Sequence, residues 1–355
     1  MDIFDIQDVA QGITEQAKHV AMNNAPVTAR ICLAQLALLK SDTDTGRRLA
    51  AWPGTVLADA LPLRIAGGLH HLHLTGADSR LAAIYDGSIT EQAPIDALIC
   101  AIVADHDAAM LAWFDSPPQT NEAGRSASFM AGLKWLSGKM GTRFELNELG
   151  ASAGINSMMD RYHYDLGGVQ SGPVDSPMQI CPEWRGPPLP DHPVAITAIH
   201  ACDQQPVDLS DPASALRVKS YVWPENHDRL ARMDAAILLA SQKRPEVAKA
   251  DAADWVEQRL AAPQDAGTTR VFNHSIVWQY IPEDRRARIT AAIEAAGVKA
   301  TPQKPLAWLQ LETNRATFRH ELTVRYWNGS DNSGVEYLLG QAQAHGKWVE
   351  WFNCA

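Results

Sequence analysis

Residues 143–160 read Arg143-Phe-Glu-Leu-Asn-Glu-Leu-Gly150-Ala-Ser-Ala-Gly154-Ile-Asn-Ser-Met-Met-Asp160, and this stretch decides the fold class. Its first part is compatible with a short buried strand, and the apolar residues Ile155, Met158 and Met159 in its last part predict a helix. Between them, two glycines enclose three small residues, which indicates a tight turn. A strand, a small-residue turn and a helix in this order are typical of the ligand-binding crevice of α/β enzymes.

The chemistry of the turn narrows the kind of ligand that it would take. The start of a helix has free N–H groups and a positive dipole end, so a turn without bulky side chains lets a polar ligand approach the backbone. Glu148 directly precedes this turn. A carboxylate repels a pyrophosphate, but it suits an ammonium group or a ribose hydroxyl.

Composition describes a soluble globular protein and excludes several partners. The chain has 355 residues, 46% of them hydrophobic and 20% charged, and its formal net charge is −10. An acidic chain of this kind is not expected to bind nucleic acid or an anionic membrane surface, so we expect a small-molecule substrate. The N-terminus is acidic where a signal peptide would be basic, and no apolar run is long enough for a membrane span, which predicts a cytoplasmic protein.

The cysteines and histidines do not predict a metal site or a disulfide framework. Five cysteines are present and none forms a C-x-x-C pair: Cys32, Cys100, Cys181, Cys202 and Cys354. The cluster His70-His-Leu-His73 has no carboxylate or cysteine at ligand spacing, so a packing role on a helix is the better interpretation. We therefore expect no bound metal.

The remaining chain predicts two domains. Residues 1–140 show helical patterns and form the predicted helical cap domain, and residues 141–355 form the predicted α/β domain. An insertion at 165–193 has seven prolines and four glycines, which exclude a long helix or a central strand. After it, strand and helix patterns alternate regularly, and two final strands follow without a clear helix. The pattern predicts a doubly wound, mostly parallel sheet that ends in an antiparallel hairpin.

Polar residues stand at the ends of four predicted strands: Glu148, Asp203, Asp251 and the Asn273-His274-Ser275 cluster. In an open α/β sheet, ligands bind beyond the carboxyl ends of the strands, so these residues are candidates for one site. Each acid taken alone is also explained as the cap of a following helix. The occurrence of all four favours a common binding site.

These motifs resemble the binding motifs of class I S-adenosylmethionine-dependent methyltransferases. The stretch Glu148 to Gly154 is similar to their first motif, with Ser152 in place of the usual middle glycine, and Ala250-Asp251-Ala252 is similar to their third. A more specific resemblance, which covers nearly the whole chain, is to a bacterial family catalogued as a domain of unknown function. It is carried by Gln119-Thr-Asn-Glu-Ala-Gly-Arg125, Gly150-Ala-Ser-Ala-Gly-Ile-Asn156, Asp160-Arg-Tyr-His-Tyr-Asp165, Tyr221-Val-Trp-Pro224 and His274-Ser-Ile-Val-Trp-Gln-Tyr280.

The resemblance implies a Rossmann-like sheet of the class I methyltransferase type, with S-adenosylmethionine as cofactor and a small molecule as methyl acceptor. Glu148 would reach the methionine ammonium, Gly150 and Gly154 would admit the cofactor, and the Ser152 hydroxyl would touch it. Asp203 would take the ribose hydroxyls, and Asp251 with Ala252 would bind adenine. His274 is the candidate catalytic base, and a histidine that only shapes the pocket is the equal alternative.

A short segment before the predicted strand adds candidates for acceptor binding. Asn121, Glu122 and Arg125 lie in one of the family motifs, and Arg125 suits an acceptor carboxylate. Since Glu122 and Arg125 are three residues apart at a predicted helix start, a surface ion pair is the simpler alternative.

Two other functional classes stay open. Gly150-Ala-Ser152-Ala-Gly154 also satisfies the G-x-S-x-G pattern of a serine hydrolase, with Asp203 or Asp254 and then His274 or His345 as partners of the Ser152 nucleophile. The helical character of the preceding residues and the nearby carboxylate of Glu148 disfavour it. The third class is a binding protein that keeps the methyltransferase-like fold without the reaction.

Overall fold

The structure is a computed structural model that describes residues 5–119, 121–330 and 333–352. Twelve α-helices are described: α1 Val9–Met22, α2 Pro26–Leu38, α3 Asp44–Ala50, α4 Leu61–Leu74, α5 Ala82–Tyr85, α6 Gln92–Asp105, α7 Asp107–Leu111, α8 Ser126–Met140, α9 Pro212–Ser220, α10 His227–Gln242, α11 Ala252–Ala261 and α12 Glu283–Gly297. Within the described ranges, none of the helices combines the length and the apolar character needed to cross a membrane.

Twelve β-strands are described: β1 Arg143–Leu149, β2 His163–Leu166, β3 Val169–Ser171, β4 Gln179–Ile180, β5 Glu183–Arg185, β6 Ala195–Asp203, β7 Val247–Lys249, β8 Thr269–Ser275, β9 Leu306–Asn314, β10 Arg319–Trp327, β11 Glu336–Ala342 and β12 Trp348–Trp351. Nine of them form one sheet in the order β5-β12-β11-β10-β9-β8-β1-β6-β7, and β3, β2 and β4 form a separate small sheet.

The chain divides into two compact units, and it passes between them three times. One unit contains Met1–Thr120 and Asp211–Ala231, and the other contains Asn121–Ser210 and Arg232–Ala355. This division differs from the predicted boundary at residue 140, because α8 belongs to the second unit and α9 to the first. The capping role predicted for the helical part stays a prediction.

The first unit is helical around its own apolar core. Buried side chains of α2, α4 and α6, among them Ile31, Ile65 and Ile99, meet in one cluster that also includes Tyr221. The N-terminus of α2 has no cap from its own preceding residue. Glu225 supplies it instead, because its carboxylate accepts hydrogen bonds from the Thr28 N–H at 2.8 Å and the Thr28 hydroxyl at 2.7 Å. The segment 211–231 is therefore an integral part of this unit.

The second unit is an α/β structure whose central strands are buried on both faces. The five strands β7, β6, β1, β8 and β9 are parallel neighbours, and every residue of β8 is buried. Helices α11 and α12 contribute Trp255, Val256, Ile289 and Ile293 to a core with Phe272 and Trp308. Because both faces of the sheet are covered, all seven residues of β8 are buried, the polar ones included.

One buried ion network lies on the α11 face of the sheet. Glu145 accepts from Arg270 Nε at 3.0 Å and from Arg259 at 2.7 Å, and it pairs in register with Arg270 across β1 and β8. Arg270 also donates to the carbonyl oxygens of Arg259, Ala262 and Pro263, the closest at 2.7 Å. The network joins the start of β1 to the start of β8 and the end of α11.

The prediction of an α/β protein with a mostly parallel sheet is confirmed, with three differences in detail. The predicted helix after Gly154 is a six-residue 3₁₀-helix, Asn156–Arg161. The C-terminal part has β9, β10, β11 and β12 paired antiparallel in succession, where the sequence predicted a single hairpin. The insertion contributes the small sheet and also β5, which pairs parallel with β12 at the edge of the large sheet.

Candidate functional site

The turn after β1 requires left-handed backbone at three alternate positions. The φ angles are +66° at Gly150, +52° at Ser152 and +68° at Gly154. For an L-residue such as serine this conformation costs about 1–2 kcal/mol, whereas glycine adopts it freely. The middle position is therefore one where glycine would be the unstrained choice, and Ser152 occupies it under strain.

The two glycines also permit close packing of protein side chains. A Cβ on Gly150 would lie 2.2 Å from Val277 Cγ2, and a Cβ on Gly154 would lie 2.8 Å from Pro245 Cγ and 2.9 Å from Val247 Cγ2. The space beside each glycine is thus filled by the protein itself. The role of Gly150 and Gly154 in admitting the cofactor stays a prediction.

Asp203 fixes the turn from the neighbouring strand. Its Oδ2 accepts the Ser152 N–H at 2.8 Å, and its Oδ1 accepts the Gln205 N–H at 2.8 Å. One residue earlier, the Cys202 carbonyl accepts the Ala151 N–H at 3.0 Å. The end of β6 and the turn after β1 therefore form one hydrogen-bonded structure, with lone pairs left on the Asp203 carboxylate for further donors.

Asp251 lies at the end of β7 and is the N-cap of α11. Its Oδ1 accepts the Ala253 N–H at 2.9 Å, and its Oδ2 lies 3.5 Å from Arg285 Nε. Ala252 is the first residue of that helix. Asp251 therefore caps α11, as the sequence allowed for each of these acids. Its carboxylate remains partly exposed.

Glu148 is the buried carboxyl of the site. Burial raises its pKa to about 7, with a further increase from the charge of Asp203, against hydrogen bonds from Ser157 and Asn156 and the charge of Arg125. The Ser157 hydroxyl donates to its Oε2. On the adjacent strand, Asn273 pairs in register with Glu148 and points to the same face of the sheet.

Three buried polar atoms, on the turn after β1, on the segment that follows it and on β8, lack a hydrogen-bond partner among the described residues. They are Asn156 Oδ1, Asn273 Oδ1 and Ser152 Oγ. Asn156 and Asn273 are 2% and 3% exposed. Because a buried oxygen without a donor is costly, this group of oxygens is suited to a ligand that carries several hydrogens, such as an ammonium group.

Asn121 contacts the turn directly. Its Nδ2 donates to the Ala151 carbonyl, and its Oδ1 accepts from Asn156 Nδ2 at 2.9 Å and from the Glu122 N–H at 2.8 Å. The side chain is buried. Asn121 therefore supports the backbone of the turn, and the contact with the acceptor that the sequence suggested for it stays a prediction.

Glu122 and Arg125 are buried rather than on a surface. Glu122 Oε1 accepts from Arg232 Nε at 2.9 Å. Arg125 donates from Nε to the Ala344 carbonyl at 2.8 Å and from Nη1 to the Ser275 carbonyl at 3.2 Å. Arg125 thus binds the end of β8 to the loop that follows β11, and its charge reaches Glu148.

His274 is completely buried, and both of its ring nitrogens have hydrogen-bond partners. Nε2 accepts the Trp308 indole N–H at 3.0 Å, and Nδ1 lies 2.7 Å from Glu312 Oε1. The ring stacks on Trp278 with centroids 4.9 Å apart. With Nε2 occupied by a donor, the imidazole has no lone pair available for a substrate proton, so this geometry favours the pocket-shaping role over the catalytic base.

Ser152 lacks the partner that a nucleophilic serine needs. In the part of the chain that the structure describes, its Oγ is buried without a hydrogen bond, and the His274 nitrogens are occupied by Glu312 and Trp308. Asp254, the other acid considered for a triad, pairs with Arg288 on the surface of α11. The hydrolase arrangement is therefore disfavoured.

Potential metal ligands are dispersed. No group of three or more His, Cys, Asp or Glu side chains that could bind a metal ion occurs in residues 5–119, 121–330 and 333–352. His70 is buried with Nδ1 3.0 Å from the Ser220 carbonyl, and His73 stacks on Tyr85, so the packing interpretation of this histidine cluster describes both side chains. Cys32, Cys100, Cys181 and Cys202 are free, and Cys354 lies outside the described residues.

Glu312 carries none of the sequence motifs described above, and the structure brings it to this region. It lies near the end of β9, and it also accepts the Val277 N–H at 3.1 Å. Glu312 is an acid near the end of a strand. Glu148, Asp203 and Asp251 were identified from the sequence by this same feature.

The fold and these contacts define an α/β protein with a large, mostly parallel nine-stranded sheet and a polar turn at its centre. The chain belongs to the bacterial family described as "Uncharacterized protein conserved in bacteria (DUF2332)", whose model matches residues 10–351. No curated protein and no solved structure gave a significant match.

Proposed function

We propose that the protein binds S-adenosylmethionine at the turn after β1 and transfers the methyl group to a small-molecule acceptor. The observation that carries this proposal is the left-handed backbone at Gly150, Ser152 and Gly154 directly beyond the carboxyl end of β1. Strands β6 and β7 lie on one side of β1 in the sheet. The next strand of the chain, β8, lies on the other side of β1, so the strand order reverses at β1. Ligands of open α/β sheets bind at such reversals.

The side chains around the turn fit the polar parts of this cofactor. Glu148 and the oxygens Asn156 Oδ1 and Asn273 Oδ1 suit its ammonium group, since each can accept a hydrogen bond. Asp203 would accept from a ribose hydroxyl, and Asp251 with Ala252 would bind the adenine. When bound, the cofactor supplies a sulfonium methyl group, and the protein's task is to align and desolvate the acceptor beside it.

The two alternatives lead to different measurements. A serine hydrolase would be labelled by a fluorophosphonate probe, and the label would disappear in Ser152→Ala. A non-catalytic member of the fold would bind cofactor and methylate no acceptor in a metabolite screen. The unpartnered Ser152 Oγ supports the methyltransferase over the hydrolase.

We expect the wild-type protein to bind both S-adenosylmethionine and S-adenosylhomocysteine in isothermal titration. Asp203→Asn should weaken binding by about tenfold or more. Asparagine lacks the negative charge that would accept from the ligand, and it accepts a weaker hydrogen bond from the Ser152 N–H. The control is Asp211→Asn, which changes the cap of α9 in the other unit. Folded wild-type protein that gives no heat at millimolar ligand would contradict the proposal.

The ionisation of Glu148 gives a second prediction. Its raised pKa means that the folded state binds its proton more tightly than the unfolded state. This contribution to stability is complete below the ordinary pKa of a glutamate and is lost as pH rises through about 7. Wild type should therefore lose about 3 kcal/mol relative to Glu148→Gln between pH 4.5 and 8.

The measurement is urea unfolding of both proteins across this pH range, because the difference between them cancels the other titrating groups. Parallel stability profiles would contradict the prediction. If an ammonium group binds beside Glu148, binding should also release a proton below pH 7, which titrations in buffers of different ionisation enthalpy would detect.

A further inference from the structure

Glu312 presents one carboxylate oxygen that has no hydrogen-bond partner among the residues that the structure describes. Its Oε1 accepts from His274 Nδ1 at 2.7 Å and from the Val277 N–H at 3.1 Å. Within the described residues, no hydrogen bond reaches Oε2, and the side chain is 16% exposed. One oxygen is thus fixed by the protein, and the other is available to a ligand.

A buried chain of hydrogen bonds orients this carboxylate. An indole N–H only donates, so His274 Nε2 must accept from Trp308, and His274 Nδ1 therefore carries the proton that is donated to Glu312. The His274 ring is fixed in turn by stacking on Trp278. His274 is in this way a positioning residue for Glu312.

The charge around Glu312 favours a cationic ligand. Glu321 lies directly opposite it in the antiparallel register of β9 and β10, and both Glu321 oxygens accept from Asn314 Nδ2. Burial and the charge of Arg125 lower the pKa of His320, and the charge of Glu312 raises it, so Arg125 and Glu312 act on the same histidine. Like charges opposite each other destabilise a sheet, and a bound cation would relieve this repulsion. The described residues offer no group of three or more His, Cys, Asp or Glu side chains here, and a methyl acceptor is an organic molecule, so we consider an organic cation.

Glu312 is also adjacent to the turn after β1. The N–H of Val277 donates to Glu312, and the side chain of the same residue fills the space beside Gly150. A ligand on Glu312 Oε2 would therefore lie next to the region assigned above to the cofactor.

We propose that Glu312 binds the amino group of the methyl acceptor as an ammonium and that the acceptors of this protein are primary or secondary amines. Glu312 Oε2 would take one proton from the ammonium, which frees the nitrogen lone pair. The nitrogen would then receive the methyl group as the carbon–sulfur bond of the bound cofactor breaks and the thioether leaves. The inference rests on the proposed function, because it takes the turn at Gly150 as the site of the cofactor. It assigns the contact with the acceptor to Glu312 and the orientation of that contact to His274.

The test uses n-butylamine as the probe, with n-butanol and butyrate as its neutral and anionic counterparts. Saturation-transfer NMR on the full chain, with and without saturating S-adenosylhomocysteine, should show binding of the amine and of neither counterpart. Glu312→Gln should weaken amine binding by about tenfold or more, because an ionised acceptor makes the stronger hydrogen bond. Glu321→Gln is the matched control and should weaken it less, since Asn314 already occupies its oxygens.

Two results would overturn the assignment. One is that the amine does not bind to wild type. The other is that Glu312→Gln and Glu321→Gln lose the same amine affinity, which would indicate that only the net charge of the region matters. The role of His274 is tested by two variants. His274→Gln retains a hydrogen-bond donor for Glu312 and should bind the amine better than His274→Phe, which has no such donor. Equal binding by these two folded variants would contradict the positioning role. A failure of S-adenosylhomocysteine to bind would contradict the proposed function separately from these outcomes.

Discussion

Replacement of Arg270 by methionine should lower the free energy of unfolding by about 3–5 kcal/mol. The Arg270 side chain is 3% exposed, and it donates to Glu145 and to three backbone carbonyl oxygens. Methionine fills much of the same volume but leaves these acceptors without a donor. Removal of one partner of a buried pair is costly because the remaining charge stays desolvated.

Urea unfolding of the variant, of Glu145→Met and of the double variant measures the effect. The double variant should lose less than the sum of the single variants, because it removes both members of the Glu145–Arg270 contact and leaves neither buried without the other. Arg319→Met on β10 is the matched control: Arg319 is exposed, donates to Gln341, and should change stability by less than about 0.5 kcal/mol. A loss at Arg270 no larger than that at Arg319 would contradict the structural role of the network.

Replacement of Gly150 by alanine should abolish detectable binding of S-adenosylhomocysteine. The new Cβ would lie 2.2 Å from Val277 Cγ2, and φ at this position is +66°. Either Val277 or the turn must move, and the turn carries the Ser152 N–H that is bound to Asp203. Isothermal titration on the folded variant gives the result directly.

The control for Gly150→Ala is Gly76→Ala. Gly76 has a φ of +67°, but a Cβ there would meet no atom within 4 Å, so this variant isolates the conformational cost of about 1 kcal/mol. Space for the new methyl group can be restored by Val277→Ala, and the double variant should recover part of the binding. Unchanged ligand affinity in Gly150→Ala would remove the turn from the proposed site.

Much of the α/β architecture could be predicted from the sequence, because strand and helix patterns alternate regularly after residue 193. The sequence predicts helices at 254–260 and 283–296 and strands at 270–275 and 306–312, and α11, α12, β8 and β9 lie close to these segments. The prediction failed where local pattern carries no information about pairing. β5 is three residues long and joins the sheet only through β12, which lies more than 160 residues later.

The candidate site was predictable only in part. Motif spacing identified Glu148, Asp203 and Asp251, and the structure brings Asp203 into hydrogen-bond contact with the turn. The contacts of Asn121 and the orientation of Glu312 could not be predicted, since they depend on side chains from distant strands. Gly150 and Gly154 have left-handed backbone and leave space for Val277, Pro245 and Val247, and their predicted contact with the cofactor stays a prediction.

The three passages of the chain between the two units have a consequence for synthesis on the ribosome. The first unit needs the segment Asp211–Ala231, which brings Tyr221 into its core and Glu225 to the start of α2. A fragment that ends at residue 140 lacks both, so we expect it to stay unfolded when it is expressed alone. During translation, the N-terminal helices therefore cannot complete their native packing until more than 230 residues have been synthesised.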